Sequence, residues 1–164
     1  MRIYLIGLPG SGKTTLGKQV AKALNLTFID MDDEIVESEG KSISDIFSKE
    51  GEAYFREIER AMLHQVAKAE NCIISTGGGA ACFFDNIDYM NKTGITVFID
   101  VSPETLAKRV SVGKNKRPLL DGVDSLLEEI SKKHQQRMPF YAKAQIQIKG
   151  DNIQTGEILE KLRD

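Results

Sequence analysis

Cysteine is scarce: the 164 residues hold only Cys72 and Cys82, with no metal-ligand spacing and no CxxC between them. A disulfide framework and a zinc site are thereby excluded, and both side chains are expected as reduced thiols. An excess of positive charge is also lacking. Twenty-two Lys and Arg against 24 Asp and Glu give a formal net charge of −2, so no overall basic field gathers nucleic-acid phosphates. Nucleic acid is not an expected partner. Long apolar runs are absent too: Met1–Ile6 is too short for a signal peptide and passes straight into a glycine loop, and no later run approaches transmembrane length. A cytoplasmic protein without a membrane partner is the expectation. Repeats, low-complexity tracts and interdomain linkers are missing as well. What remains is ordinary globular composition, 41% apolar and 28% charged, and one expected domain over 1–164.

Short β-rich runs alternate with longer helical patterns. Arg2–Ile6, Thr27–Ile29, Cys72–Ser75, Ile95–Val101 and Gln145–Ile148 read as five strands, and their near-continuous apolar character suits a parallel sheet covered on both faces. Leu16–Leu24 reads as a helix, Ser44–Ala69 as one or two, Pro103–Val110 as another, and Thr155–Leu162 as the last. Asp124–Arg137 reads as a longer helix that Pro139 should kink or end. Gly113–Asp121 breaks the rhythm with Gly, Pro, Lys and Arg and is expected as an exposed loop.

Gly7-Leu8-Pro9-Gly10-Ser11-Gly12-Lys13-Thr14 matches GxxxxGK[ST] between an apolar strand and a helical pattern, the context the phosphate-binding loop requires. Glycines let successive backbone N–H groups face an anion, and the helix behind adds the positive end of its dipole. Lys13 should reach the β- and γ-phosphates of a nucleotide, and the Thr14 hydroxyl should ligate Mg²⁺. The loop alone does not choose among a kinase, a GTPase switch and an ATP-driven machine.

Asp30 and Asp32 stand at the C-terminal end of the second strand, where open α/β sheets bind ligands. Alternation points them the same way if strand geometry persists: one suits the Mg²⁺ shell, the other an attacking hydroxyl. The structural alternative is that one of them, or Asp33, caps the helix that follows. Arg56 and Glu59 share a helix face, and on spacing alone a solvated surface pair is the expectation. Arg137, before Pro139 and Tyr141, reads as an ordinary cation near a helix C-terminus. Gly77-Gly78-Gly79 directly after a buried-looking strand suggests a backbone closely approached by a ligand. That strand ends without the acid of a Walker B motif, which makes Asp30 the expected metal-side carboxylate.

Taken together, the loop at 7–14, Asp30-x-Asp32, Gly51-Glu52-Ala53-Tyr54-Phe55-Arg56-x-x-Glu59, Thr76-Gly77-Gly78-Gly79, Arg117-Pro118-Leu119-Leu120 and Arg137-x-Pro139-x-Tyr141 resemble the shikimate kinase family. The resemblance spans nearly the whole chain. It implies a three-layer α/β/α, nucleoside-monophosphate-kinase-like P-loop fold with a five-stranded parallel sheet of order 2-3-1-4-5, and transfer of the ATP γ-phosphoryl to the 3-hydroxyl of shikimate. It implies that Asp32, Arg56, Gly78 and Arg137 bind shikimate, with Gly77 and Gly79 beside them and the two arginines on its carboxylate, as suits a planar guanidinium fork. Ile43, Phe47 and Phe55 would line the apolar side of the carbocycle within an acceptor-binding segment of about 31–60. Gly10, Ser11, Gly12, Lys13, Thr14 and Thr15 would bind ATP, with Arg109 and Gln154 beside the adenine. Arg117 would sit in a lid at about 113–121, so that Lys13, Asp32 and Arg117 carry the catalysis and Thr14 with Asp30 the Mg²⁺. A monomer is expected.

Two other readings compete with this one. A related small kinase for gluconate or a nucleoside monophosphate would share the fold, but the acceptor-side arginines and Gly77–Gly79 argue against it. A GTPase switch would need a guanine-reading NKxD, and Asn115-Lys116-Arg117-Pro118 carries proline where aspartate is required.

Overall fold

The computed structural model describes residues 1–113 and 120–164. Five strands, β1 (Arg2–Ile6), β2 (Thr27–Asp30), β3 (Cys72–Ser75), β4 (Ile95–Asp100) and β5 (Ile146–Lys149), form one sheet of order β2-β3-β1-β4-β5. Every pairing is parallel. β1, β3 and β4 are buried almost throughout, as strands covered on both faces must be, so their apolar runs are continuous. The five expected strands are the observed ones, each within a residue or so at its ends.

Among the described residues eight helices cover the sheet: α1 (Lys13–Leu24), α2 (Met31–Glu39), α3 (Ile43–Glu50), α4 (Glu52–Val66), α5 (Asn86–Thr93), α6 (Pro103–Gly113), α7 (Leu120–Tyr141) and α8 (Thr155–Arg163). A short 3₁₀ turn spans Ala80–Cys82. Helix α1 lies close on the sheet because Gly17 has no side chain; a Cβ there would stand 2.6 Å from the Phe28 ring.

The expected Ser44–Ala69 helix is two helices. Gly51, at φ 87° and ψ 169°, leaves helical geometry between α3 and α4 and so turns the chain. Ser42 caps α3 by accepting from the Asp45 N–H at 3.1 Å. Helix α7 begins earlier than the expected Asp124 and runs past Pro139 to Tyr141; the Ala142 N–H still bonds the Met138 carbonyl at 2.8 Å, so the proline ends the helix only after two more residues. Helix α6 extends to Gly113 and α7 starts at Leu120, so both ends of the expected Gly113–Asp121 loop are helical, and 114–119 lie outside the described residues.

Candidate active site

The sheet delivers β1 straight into the phosphate loop. Gly10 and Gly12 take φ of 85° and 97°, a region that costs glycine least. Gly12 is the N-cap of α1 and supplies no side-chain bond, so the first amides of α1 are left open for an anion. Lys13 is 7% exposed and folds back onto its own loop, donating to the Gly7 carbonyl at 2.7 Å and the Leu8 carbonyl at 3.0 Å. Burial pushes its ammonium down to about 8, with the charges of Asp32 and Asp30 opposing the shift. A cleft of about 720 Å³ opens beside the loop and continues past Asp30 and Asp32 to Gly78.

Asp30 has two jobs at once. One oxygen accepts from the N–H groups of Asp32 and Asp33 at 3.0 and 3.3 Å and so caps α2; the other receives the Thr14 hydroxyl at 3.2 Å. The capping alternative is therefore real for Asp30, and it coexists with a pair of hard oxygen donors beside the phosphate loop. Such a pair fits Mg²⁺, which is held by one or two protein oxygens together with phosphates rather than by a full protein cage. Asp32 enters the first turn of α2 instead of continuing the strand. Burial, joined by the charges of Asp30 and Asp33, holds its carboxyl above the ordinary carboxylate range against the pull of Lys13 and Arg56.

The Arg56–Glu59 pair is not on the surface. Arg56 is 8% exposed and Glu59 1%, and Nη1 donates to Oε1 at 2.8 Å. Phe83 lies under the guanidinium at 4.0 Å from its ring centroid. The expectation of a solvated pair failed because spacing along one helix says nothing about what covers it. Phe55, Glu59, Met62, Leu63 and Val66 form a single buried stripe on α4, and that periodicity was the available signal. Burial pushes Glu59 up from the usual carboxylate range, and Arg56 opposes it. Arg56 Nε is buried without a hydrogen-bond partner among the described residues, while Nη2 stands 4.0 Å from a Glu52 carboxylate oxygen.

The three glycines are small for three different reasons. A Cβ on Gly77 would meet Glu59 Oε2 at 2.8 Å and Asp32 Oδ1 at 3.0 Å; on Gly78, the Pro9 ring at 2.6 Å; on Gly79, both Nη atoms of Arg56 at 2.8 Å. The segment therefore brings Asp32, Glu59, Arg56 and the phosphate loop onto one stretch of backbone. The Tyr141 hydroxyl donates to the Gly78 carbonyl. Arg137, four residues earlier on α7, acts electrostatically on Lys13, Glu59, Cys82 and Tyr141, so it shares this neighbourhood. Burial pushes the Cys82 thiol up to about 11, which leaves it a poor nucleophile.

The Phe47 and Phe55 rings meet tilted at 34° with centroids 4.6 Å apart, and Ile43 and Phe47 are partly buried beside the core. Gly10, Ser11, Gly12, Thr14, Thr15, Arg109 and Gln154 all face the cleft. Arg109 donates to the Gly10 carbonyl at 3.0 Å and the Asp151 carbonyl at 2.9 Å, tying the phosphate loop to the segment before α8. The Gln154 N–H donates to Glu157 at 2.6 Å at the start of that helix. Arg117 lies outside the described residues, as does most of the expected lid at 113–121.

A family model for shikimate kinase matches residues 9–164. A shikimate kinase of Bacteroides thetaiotaomicron is 48% identical over 156 residues, covering 94% of this chain and 89% of the relative. A crystal structure of shikimate kinase from Bacteroides thetaiotaomicron superposes with a TM-score of 0.92 at 44% identity, covering 100% of this chain and 99% of that one. Another, from Acinetobacter baumannii in complex with shikimate, gives a TM-score of 0.83 at 33% identity over 99% of this chain and 90% of that one.

Proposed function

The chain belongs to the shikimate kinase family, and from that premise we propose how its residues divide the work of the reaction. The protein is an ATP-dependent kinase that transfers the γ-phosphoryl of ATP to the 3-hydroxyl of shikimate, giving shikimate 3-phosphate and ADP on the route to chorismate and the aromatic amino acids.

ATP lies along the cleft with its phosphates over the α1 N-terminus, where open amides and the helix dipole receive negative charge. Lys13 leaves the Gly7 and Leu8 carbonyls for the β- and γ-phosphates; its desolvated ammonium gains from that exchange, because the phosphates compensate a charge the resting site holds at a cost. Thr14 and Asp30 would hold Mg²⁺, which would supply positive charge to offset the negative charge developing on the phosphates. Asp32 accepts the proton of the acceptor hydroxyl, for which a carboxyl held above its ordinary range is better matched than an exposed one. Arg56 and Arg137 hold the shikimate carboxylate, Glu59 orients Arg56, and Gly77–Gly79 give the acceptor a close backbone wall. Arg109 and Gln154 flank the adenine, and Arg117, outside the described residues, would bring a cation to the phosphates.

One observation carries this assignment: Asp32, Glu59 and Arg56 converge on the glycine triplet, whose middle member packs on Pro9 of the phosphate loop. A proton acceptor and an anion-binding fork thus stand beside the site of the nucleotide phosphates. Segment 31–60 then serves the acceptor within one kinase domain. We further propose a cytoplasmic monomer with no nucleic-acid or membrane partner; among the described residues no helix is long and apolar enough to cross a membrane.

The test is to incubate the pure protein with Mg-ATP and, separately, shikimate, gluconate, nucleoside monophosphates and a shikimate analogue carrying a hydroxymethyl in place of the carboxylate. ADP should form rapidly with shikimate alone. Equal turnover of the hydroxymethyl analogue would remove the carboxylate role of Arg56 and Arg137.

A further inference from the structure

Helix α7 packs along α6 and reaches β4 through two matched side-chain contacts. His134 and Tyr141 are seven residues apart on the helix and share a face, while Phe98 and Asp100 are two apart on the strand and share a face. The Tyr141 ring stacks on Phe98 with centroids 4.7 Å apart and planes at 25°. His134 Nε2 stands 2.9 Å from Asp100 Oδ1. An ionised carboxylate only accepts hydrogen bonds, so Nε2 carries the proton and donates. Asp100 is 8% exposed, and among the described residues no other side chain donates to its carboxylate. Losing this donor would leave a largely buried charge uncompensated, so the helix is held at this point by more than packing.

Arg137 lies between the two contacts, three residues after His134 and four before Tyr141, on the same stripe of the helix. The direction and height at which its guanidinium projects are therefore set by how α7 is rolled and shifted on β4. Tyr141 fixes the far end twice, through Phe98 and through its bond to the Gly78 carbonyl. On the near side, the His134–Asp100 bond is the matching polar contact. Helix α7 also packs along α6 and the 3₁₀ turn, so loss of the near contact would change its roll only slightly; a small roll is enough to move the tip of a long arginine by more than a hydrogen-bond tolerance. Neither His134 nor Asp100 bonds a residue of the phosphate loop, and Lys13 and Thr14 bond only the loop and Asp30, so the first effect of losing the contact falls on Arg137.

We propose that His134 and Asp100 are a positioning pair for acceptor binding: their bond fixes α7 on β4 so that Arg137 meets the carboxylate of the acceptor. This rests on the reading of Arg137 as a carboxylate ligand. His134 touches neither substrate and acts only through Arg137.

The experiment compares His134→Leu, His134→Gln, Arg137→Ala and the double variant His134→Leu/Arg137→Ala, with KM for shikimate, KM for ATP, kcat and Tm measured for each. Gln places an amide donor at about the reach of Nε2, whereas Leu fills space without a donor. His134→Leu should raise KM for shikimate about tenfold, short of the ~100-fold that a full 1 Å misplacement can cost, and leave KM for ATP within about twofold. His134→Gln should restore most of the shikimate affinity. The double variant should bind shikimate no worse than Arg137→Ala, because a positioning residue has nothing left to position. If His134→Leu does not fold, His134→Asn, whose amide stops short of Asp100, carries the same expectation. A large effect of Arg137→Ala with no change in His134→Leu would overturn the positioning role alone. A lowered Tm with both KM values unchanged would reduce the pair to a structural tie. An unchanged KM for shikimate in Arg137→Ala would overturn the carboxylate reading and this inference with it.

Discussion

The three glycines after β3 make a sharp test, because alanine at each position touches a different part of the machinery. None of them has a positive φ, and Gly79 sits at φ −103°, so the backbone tolerates alanine and any effect comes from the added methyl. At Gly79 that methyl would lie 2.8 Å from both Nη atoms of Arg56, about 0.6 Å inside the 3.4 Å at which ordinary contact begins. The guanidinium is the end of a flexible side chain and will withdraw. It is also confined between the Glu59 carboxylate at 2.8 Å and the Phe83 ring at 4.0 Å, so the withdrawal must disturb one of them. Stability should change little, while the fork that receives the acceptor moves by more than half an ångström. Misplacement of 1 Å can cost about 100-fold, so KM for shikimate should rise about tenfold in Gly79→Ala with KM for ATP unchanged.

Gly78→Ala should do the reverse. Its methyl meets the Pro9 ring at 2.6 Å, and a ring within the phosphate loop cannot swing aside, so the loop shifts and KM for ATP rises. Gly77→Ala would press on Asp32 and Glu59 together and should lower kcat most. Steady-state kinetics with each substrate varied in turn separates the three profiles. A single shared profile, or a Gly79→Ala variant that loses ATP affinity, would refute the division of the triplet among three partners.

Lys13→Ala should lower kcat at least 100- to 1000-fold, the usual loss for one preorganised donor at a developing charge. Because Lys13 is buried rather than solvent-facing, its pH linkage is also testable. Its folded pKa of about 8 lies below the ordinary value of 10.5, so the unfolded chain binds the extra proton between them, and the free enzyme should gain about 1 kcal/mol or more in stability from pH 8 to 10. Denaturant titrations at both pH values should show that gain in the wild type and not in Lys13→Met. Asp32→Asn should lower kcat with little change in KM. Since the Asp32 pKa is raised, the wild-type acid limb of kcat/KM should lie above the ordinary carboxylate range and disappear in the variant, and an unchanged limb would assign it to another group. Arg56→Lys keeps the charge but loses the fork; at about 1.5–3 kcal/mol for a charge-assisted bond it should weaken shikimate binding about 10- to 100-fold and spare ATP, as isothermal titration with each ligand would report.

The strands were legible because burial on both faces leaves no alternation to confuse with a helix: Ile73 and Ile74 are both fully buried in consecutive positions. The phosphate loop was legible because its geometry depends on glycine at fixed spacing. Helices α2 and α5 received no bounds. Met31–Glu39 carries five acids and buries only Met31 and Ile35, and Asn86–Thr93 is rich in Asn, Asp and Thr, so neither shows a clear apolar stripe. Residue roles split along the same line. Arg56 and Glu59 were legible as partners; their burial was signalled only by the apolar stripe of α4, since the covering Phe83 comes from a distant segment. The Asp100–His134 contact joins residues 34 positions apart, and only the seating of α7 on β4 brings them together.

The directions of the perturbed groups in the free enzyme follow one logic. Lys13 is pushed down and Asp32 and Glu59 are pushed up, each chiefly by burial, so the resting site disfavours charge on all three despite holding them near opposite charges. ATP adds negative charge beside Lys13 and Asp32. That charge must restore the ammonium and raise the Asp32 proton affinity further, which favours proton acceptance from a hydroxyl only once the nucleotide is in place. On the proposed assignment shikimate would add its carboxylate on the Arg56 side, where Nε has no hydrogen-bond partner among the described residues. The two substrates therefore act on a connected set of charges rather than on separate sites. Linkage then requires that each bind more tightly, or less, in the presence of the other by the same factor. If Asp32 is the base as proposed, ATP would strengthen it while shikimate holds the hydroxyl against it, so the chemical step would need both, and water without an acceptor carboxylate to orient it would be a poor substitute.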